Sequence, residues 1–199
     1  MATSNPLEWI GEMHLAFSLT LVEGLADREL LVRLGCGPAD IRVPEDSEEV
    51  DEFCAEAMAH DDDYGAVHGG VADGWAFALE PASIWAFDET RLAAASQGTR
   101  LIGCWHNGNA LGYVEHWEDG RLITRFDMAE PELRREEGGE DPDRLTDQMH
   151  RAGFFDPAND QLPKLKALAL LHGYTGVVLT PPQVVLASLA KIPSIDFDD

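Results

Sequence analysis

The 199-residue chain carries 37 acidic against 14 basic side chains, a formal charge of −23, and 45% of its residues are hydrophobic. That apolar content can offset the chain entropy lost on folding, which excludes a disordered acidic polymer, and so negative a surface repels phosphate backbones and anionic lipid, which disfavours nucleic acid and membranes as partners. Cys36, Cys54 and Cys104 are widely spaced and form no C-x-x-C pair, so neither a disulfide framework nor a cysteine zinc site is expected and a reducing, cytoplasmic compartment fits best.

The acidic start, with Glu8 and Glu12, has no basic region and no long apolar run, and does not read as a secretory signal. Phe17, Leu19 and Leu21 alternate with Ser18, Thr20 and Val22, the period of a strand with one strongly apolar face, and Gly24 ends it. Asp27 is placed to cap a helix carrying Leu30, Leu31 and Leu34, which Gly35 stops. Ser47 is expected to cap the next helix, in which Val50, Phe53, Cys54, Ala57 and Met58 form a core-facing stripe.

Asp73-Gly74 predicts a hairpin, followed by a strand in which Trp75, Phe77 and Leu79 form the bulky face and Ala76 and Ala78 the slight one. A short helix is predicted from Asp88 to about Ser96. Asn107-Gly108 and Asp119-Gly120 then divide residues 99–126 into a three-strand antiparallel meander. A two-residue turn at Asn107-Gly108 sets His106 opposite Asn109, Arg100 opposite Glu115, Ile102 opposite Tyr113 and His116 opposite Thr99, leaving both histidines at the solvent or the core edge.

From Met128 to Glu140 the chain reads as an exposed loop. Asp141-Pro142 is a cap with proline at the first helical position, ahead of Leu145, Met149 and Ala152 on one face. A further helix covers about Leu162 to His172, Gly176 to Leu179 is strand-like, and Thr180-Pro181-Pro182-Gln183 has the spacing of a capping box for a last helix. The uncharged run 167–190 is about long enough to span a bilayer, but Gly173, Gly176 and Pro181-Pro182 break it. The expected architecture is α+β, one domain over residues 1–192 with an antiparallel sheet of hairpins and a meander packed against amphipathic helices, and an acidic tail over 193–199.

No catalytic signature emerges. His60, Asp61, Asp62, Asp63 and His68 are the densest set of potential ligands but match no metal-site spacing, so neither metal nor cofactor is expected. Cys104 and His106 share a strand face at nearly 7 Å, given ~3.3 Å of rise per residue, too far for a thiol with its base. There is no G-x-S-x-G elbow to accompany His68-Gly69-Gly70, and no P-loop or dinucleotide fingerprint.

Several phrases carry a resemblance: Phe17-Ser18-Leu19-Thr20-Leu21-Val22 with Gly24-Leu25, Arg33-Leu34-Gly35, Gly74-Trp75-Ala76-Phe77-Ala78-Leu79-Glu80-Pro81, Gly98-Thr99, Phe126-Asp127, and Thr175-Gly176-Val177 with Leu179-Thr180-Pro181. Together they resemble an uncharacterised actinobacterial family labelled only as a domain of unknown function. The resemblance implies a shared fold and transfers no activity.

Charge is then the strongest pointer to function. Residues 45–63 hold ten carboxylates and no lysine or arginine. Glu48, Asp51, Glu52, Glu56, Asp61, Asp62 and Asp63 are the expected recognition surface for a basic protein partner, in an inhibitor- or immunity-like regulatory role. The bland alternative is a compositional bias, since three lysines stand beside eleven arginines and acids solubilise any protein. A further alternative is an enzyme or small-ligand protein with a pocket built from Trp75, Glu80, Trp105 and His106. A nucleic-acid mimic would need carboxylates spaced like phosphates along one face.

Overall fold

The structure, a computed structural model, describes residues 5–60, 63–109 and 111–195. In chain order it comprises α1 (Glu8–Met13), β1 (Phe17–Glu23), α2 (Asp27–Arg33), α3 (Ser47–Ala59), β2 (Tyr64–Ala72), β3 (Trp75–Pro81), α4 (Glu89–Ala95), β4 (Arg100–His106), β5 (Gly112–Glu118), β6 (Arg121–Asp127), a 3-10 turn (Pro131–Leu133), α5 (Arg134–Glu137), α6 (Thr146–Arg151), α7 (Pro163–Thr175), α8 (Pro181–Val185) and β7 (Ser188–Pro193). The seven strands form one antiparallel sheet in the order β6-β5-β4-β1-β3-β2-β7. The α+β expectation holds.

Helices cover both faces of this sheet. Phe17, Leu19, Leu21, Phe77, Leu79, Ile102, Cys104 and Phe126 share one face, packed with Leu7 and Ile10 of the N-terminal segment, Met149 of α6 and Leu168 and Leu171 of α7. The opposite face carries Val22, Val67, Ala76, Ala78, Leu101 and Trp117 against Leu30 and Leu31 of α2, Leu34 at its C-terminal end, and Leu92 and Ala95 of α4. Trp75, Phe77 and Leu79 are buried, as their alternation predicts, but Ala76, Ala78, Ser18 and Thr20 are buried too. The slight face is not a solvent face. Short side chains there let a helix lie close against the backbone.

Turn chemistry sets much of the topology. Asp73 and Gly74 both adopt positive φ (51° and 82°), as do Asp119 and Gly120 (51° and 77°), the conformation that a two-residue hairpin turn demands. Asn107-Gly108 behaves otherwise. Asn107 Oδ1 accepts from the amides of Asn109 and Leu111, so β5 begins only at Gly112 and the connection is five residues, 107–111. Arg100 therefore faces Glu118, Ile102 faces His116 and His106 faces Gly112. The displacement by three residues from the expected register is odd, so it exchanges the faces of β5, and His116 becomes fully buried.

Other boundaries move for local reasons. Asp46, not Ser47, caps α3, accepting from the Glu49 amide at 3.0 Å. Asp27 is the first residue of α2, after Ala26, and its carboxylate accepts from Ser188 Oγ at 2.6 Å. The supposed loop 128–140 contains the 3-10 turn and α5, and α6 starts at Thr146, one turn later than Pro142 suggests, with Leu145, Met149 and Ala152 on the expected inner face. α7 runs on to Thr175. Val177 and Leu179 are buried but join no strand. The capping box forms, Thr180 with Gln183, yet α8 ends at Val185 and residues 188–193 become the edge strand β7 instead of extending the helix. No helix among the described residues is long and apolar enough to cross a membrane.

Candidate functional site

Helix α3 presents the acidic stretch expected to meet a partner. Val50, Phe53 and Ala57 face inward, while Glu48, Asp51, Glu52, Glu56 and Asp63 are exposed. Asp61 and Asp62 lie outside the described residues. Glu49 pairs with Arg42 at 3.2 Å and Glu56 with Lys191 at 3.0 Å, the Lys191 ammonium and the Tyr64 hydroxyl together holding the Glu56 carboxyl below its usual range. Among the described residues Glu48, Asp51 and Glu52 make no ion pair.

Met58 departs from the expected core stripe and is 69% exposed. At 100° per residue it lies past Cys54 on the side of α3 shared by Asp51, beyond the arc of Phe53, Ala57 and Val50. There it borders an apolar groove of about 210 Å³ between α3 and the ends of β2 and β3, whose walls include His14, Cys54, Tyr64, Pro81 and Trp85.

At the base of this region Cys54 Sγ lies 3.9 Å from His68 Nε2, a thiol–imidazole contact that sequence spacing did not suggest. It is not an activated pair. Burial and the neighbouring Asp51 charge push the Cys54 thiol up, and burial pulls His68 down to about 4, so both groups stay neutral near pH 7. Cys104 is fully buried with its thiol pushed far up, and His106 instead bonds the Leu15 carbonyl through Nδ1 at 3.1 Å. His60 is exposed and stacks on Tyr64. No described group of three or more His, Cys, Asp or Glu residues is arranged to hold a metal ion.

The four residues expected around a ligand pocket do not converge. Trp75 sits opposite Glu23 on β1 and packs edge-on against Tyr174 of α7, at 6.2 Å between ring centroids. His106 shares its sheet face but pairs with Phe17, at the other end of β1. Glu80 is on the opposite face and sealed: Ser18 Oγ and the Ala86 amide donate to Oε1, Ser83 Oγ and the Trp85 amide to Oε2, at 2.6–2.9 Å. Burial pushes this carboxyl up against the opposing pull of its four donors. It clamps the 83–86 loop onto the sheet and is unavailable to a ligand.

Only Trp105 of the four lines an aromatic cleft. Cross-strand pairing aligns it with Tyr113, with ring centroids 5.7 Å apart, and Phe87 approaches Trp105 edge-on at 6.5 Å. Gly103 makes that approach possible, since a Cβ there would sit 2.9 Å from both the Phe87 ring and the Leu19 carbonyl. The floor is Glu115, 3% exposed, which accepts from Trp117 Nε1 at 2.7 Å and from Arg125 Nε at 2.8 Å. Burial raises the Glu115 carboxyl, and Arg125 opposes the shift. Tyr113, Glu115, Arg125 and Glu137 went unrecognised in the sequence.

A second polar cluster ties α7 to β5. Tyr174 Oη lies 3.0 Å from His116 Nε2, and Glu118, 3.6 Å from the same nitrogen, is bonded by Arg144 at 3.0 Å. Burial brings His116 down to about 4. The Tyr174–His116 contact joins α7 to β5 and so orients the helix on the sheet.

The molecule is thus an α+β protein with a helix-covered antiparallel sheet, an acidic helical face beside an apolar groove, and an aromatic cleft on the other side of the sheet. Its chain belongs to a family of unknown function (DUF6461), whose family model matches residues 2–190. No curated protein and no solved structure matches it significantly.

Proposed function

We propose that this chain is a cytosolic binding protein of regulatory type, inhibitor- or immunity-like, which docks a basic amphipathic segment of a partner protein along α3. The observation that carries the reading is an apolar groove bordered by the exposed Met58, on the same helix as carboxylates that make no ion pair among the described residues: Asp51 on the Met58 side of α3, Glu48 and Glu52 further round its outer surface. Apolar side chains of the segment would fill the groove while its lysines and arginines meet the rim. The overall charge of −23 adds long-range attraction, which acts on the association rate more than on the lifetime of the complex.

The test is to recover partners at low salt from the host, identify a basic one, and measure its binding kinetics. Replacing Glu48, Asp51 and Glu52 with Gln, Asn and Gln should lower the association rate by about tenfold at low ionic strength, and by much less once the Debye length falls to ~3 Å in 1 M salt. Met58→Lys should chiefly raise the dissociation rate. An on-rate indifferent to both the neutralised acids and salt would refute the proposal.

A further inference from the structure

The aromatic cleft lies on the face of the sheet opposite the α3 groove, and nothing proposed for α3 bears on it. Trp105, Tyr113 and Phe87 are each half-buried, so their ring surfaces are shielded from bulk water yet still reachable. Over them stands Glu137, at the end of α5. Its position is fixed by the turn that follows: Gly139 has φ of 101°, and a Cβ there would come within 2.5 Å of the Ile123 carbonyl, so only glycine lets the chain close down on β6. The space enclosed is about 260 Å³. That is below the ~300 Å³ at which pockets for drug-sized ligands begin, so it suits a head group or a small ligand.

Charge selects the class of that ligand. The one cation among the described residues lining the cleft, Arg125, is already engaged, its guanidinium 2.8 Å from Glu115 and 2.9 Å from Glu89. Glu137 and Asp127 add negative charge close enough to raise the Tyr113 phenol, after burial, and Arg125 only partly offsets them. An anionic ligand would meet four carboxylates and a guanidinium already neutralised. A hydrated metal ion gains little from aromatic walls, which cannot replace its oxygen ligands. A soft organic cation gains from both features, because ring faces attract a weakly hydrated positive charge and the carboxylates set the sign of the field.

We propose that the cleft formed by Phe87, Trp105 and Tyr113 over Glu115 binds a small organic cation of the quaternary ammonium class. The cation sits against the Trp105 and Tyr113 faces within ~6 Å of their centroids, with Glu137 closing the open side. Arg125 does not touch it; it holds the Glu115 carboxylate in place.

The experiment is a titration followed by NMR at the Trp105 indole N–H, assigned by its loss in Trp105→Phe. The probes are tetramethylammonium and choline, the uncharged choline isostere 3,3-dimethyl-1-butanol, and benzoate, all at low ionic strength. The two cations should move the Trp105 signal saturably, with the isostere binding about tenfold more weakly, the factor that corresponds to ~1.4 kcal/mol of cation–π and field attraction. Trp105→Ala, which lacks the reporter and is followed by calorimetric titration beside the parent, should weaken choline binding by about tenfold, and Glu137→Gln by about threefold at the Trp105 signal, since an aromatic face and a nearby charge contribute in that order. Glu137 is half-buried at the end of α5 and outside the apolar core, so its variant keeps the test decisive if Trp105→Ala does not fold. No saturable shift with either cation, equal affinity for the isostere, or tighter binding of benzoate would each overturn the proposal.

Discussion

Glu80 is the residue whose substitution most directly separates a structural from a ligand-binding role. Glu80→Gln preserves shape but replaces one acceptor oxygen with an NH₂ group. Each oxygen of the native carboxylate accepts one hydroxyl and one backbone amide, Ser18 and Ala86 at Oε1, Ser83 and Trp85 at Oε2. Whichever way the amide is turned, the serine hydroxyl on the NH₂ side can rotate and become the acceptor, but the backbone N–H there cannot. One buried donor is left without a partner and facing another donor. Losing a charge-assisted bond costs about 1.5–3 kcal/mol, and the relief of burying one charge fewer returns part of it, so a net loss of ~2 kcal/mol is expected. Urea titration at neutral pH measures this through the midpoint at unchanged slope, and hydrogen exchange at the Trp85 and Ala86 amides should accelerate in step. A variant as stable as the parent would refute the carboxylate clamp, because it would mean that Glu80 is already protonated and one of its oxygens already a donor.

Phe77, 2% exposed at the centre of the sheet, should cost about 3–5 kcal/mol on truncation to Ala, read from the same titration; a loss well below 1 kcal/mol would overturn its place in the core. His68 and His116 are both held neutral at about 4, below the ~6.5 of an unfolded histidine, so each contributes stability above pH ~6.5 that is lost as pH falls toward 4, up to ~3 kcal/mol apiece. The buried carboxyls of Glu80 and Glu115, raised by burial, act in the opposite sense, so the histidine share is isolated by comparing the pH profile of the parent with that of His116→Gln; parallel profiles would refute it. Chelator treatment should leave the melting temperature unchanged, since an extensive apolar core supports the fold; stoichiometric metal with a lower melting temperature after chelation would overturn that expectation.

What the sequence discloses divides by distance along the chain. The turns at Asp73-Gly74 and Asp119-Gly120, the Val50, Phe53 and Ala57 stripe and the Thr180–Gln183 box are decided by residues within a few positions of one another, and all formed as read. β7 was not legible, because its partners are in β2, where Tyr64 faces Pro193, and nothing after α8 breaks the apolar run that mimics a continuing helix. Met58 failed for a subtler reason: periodicity marks which side of a helix is apolar, not how wide an arc the neighbouring sheet will cover. The aromatic cleft depends on two register choices at once. A two-residue Asn107-Gly108 turn would pair Arg100 with Glu115. In the fold Arg100 is taken by Glu23 through two bonds of 2.7 Å, and Trp105 comes to face Tyr113. On the other side of β5, the tight Asp119-Gly120 turn alone would align Glu115 with Thr124; the irregularity between His116 and Trp117 shifts it onto Arg125. A search for the bulge that satisfies most cross-strand charges would have found this pair. The cost of leaving Glu115 buried and unpaired supplies the physical reason for the irregularity, and the same irregularity builds the floor of the cleft.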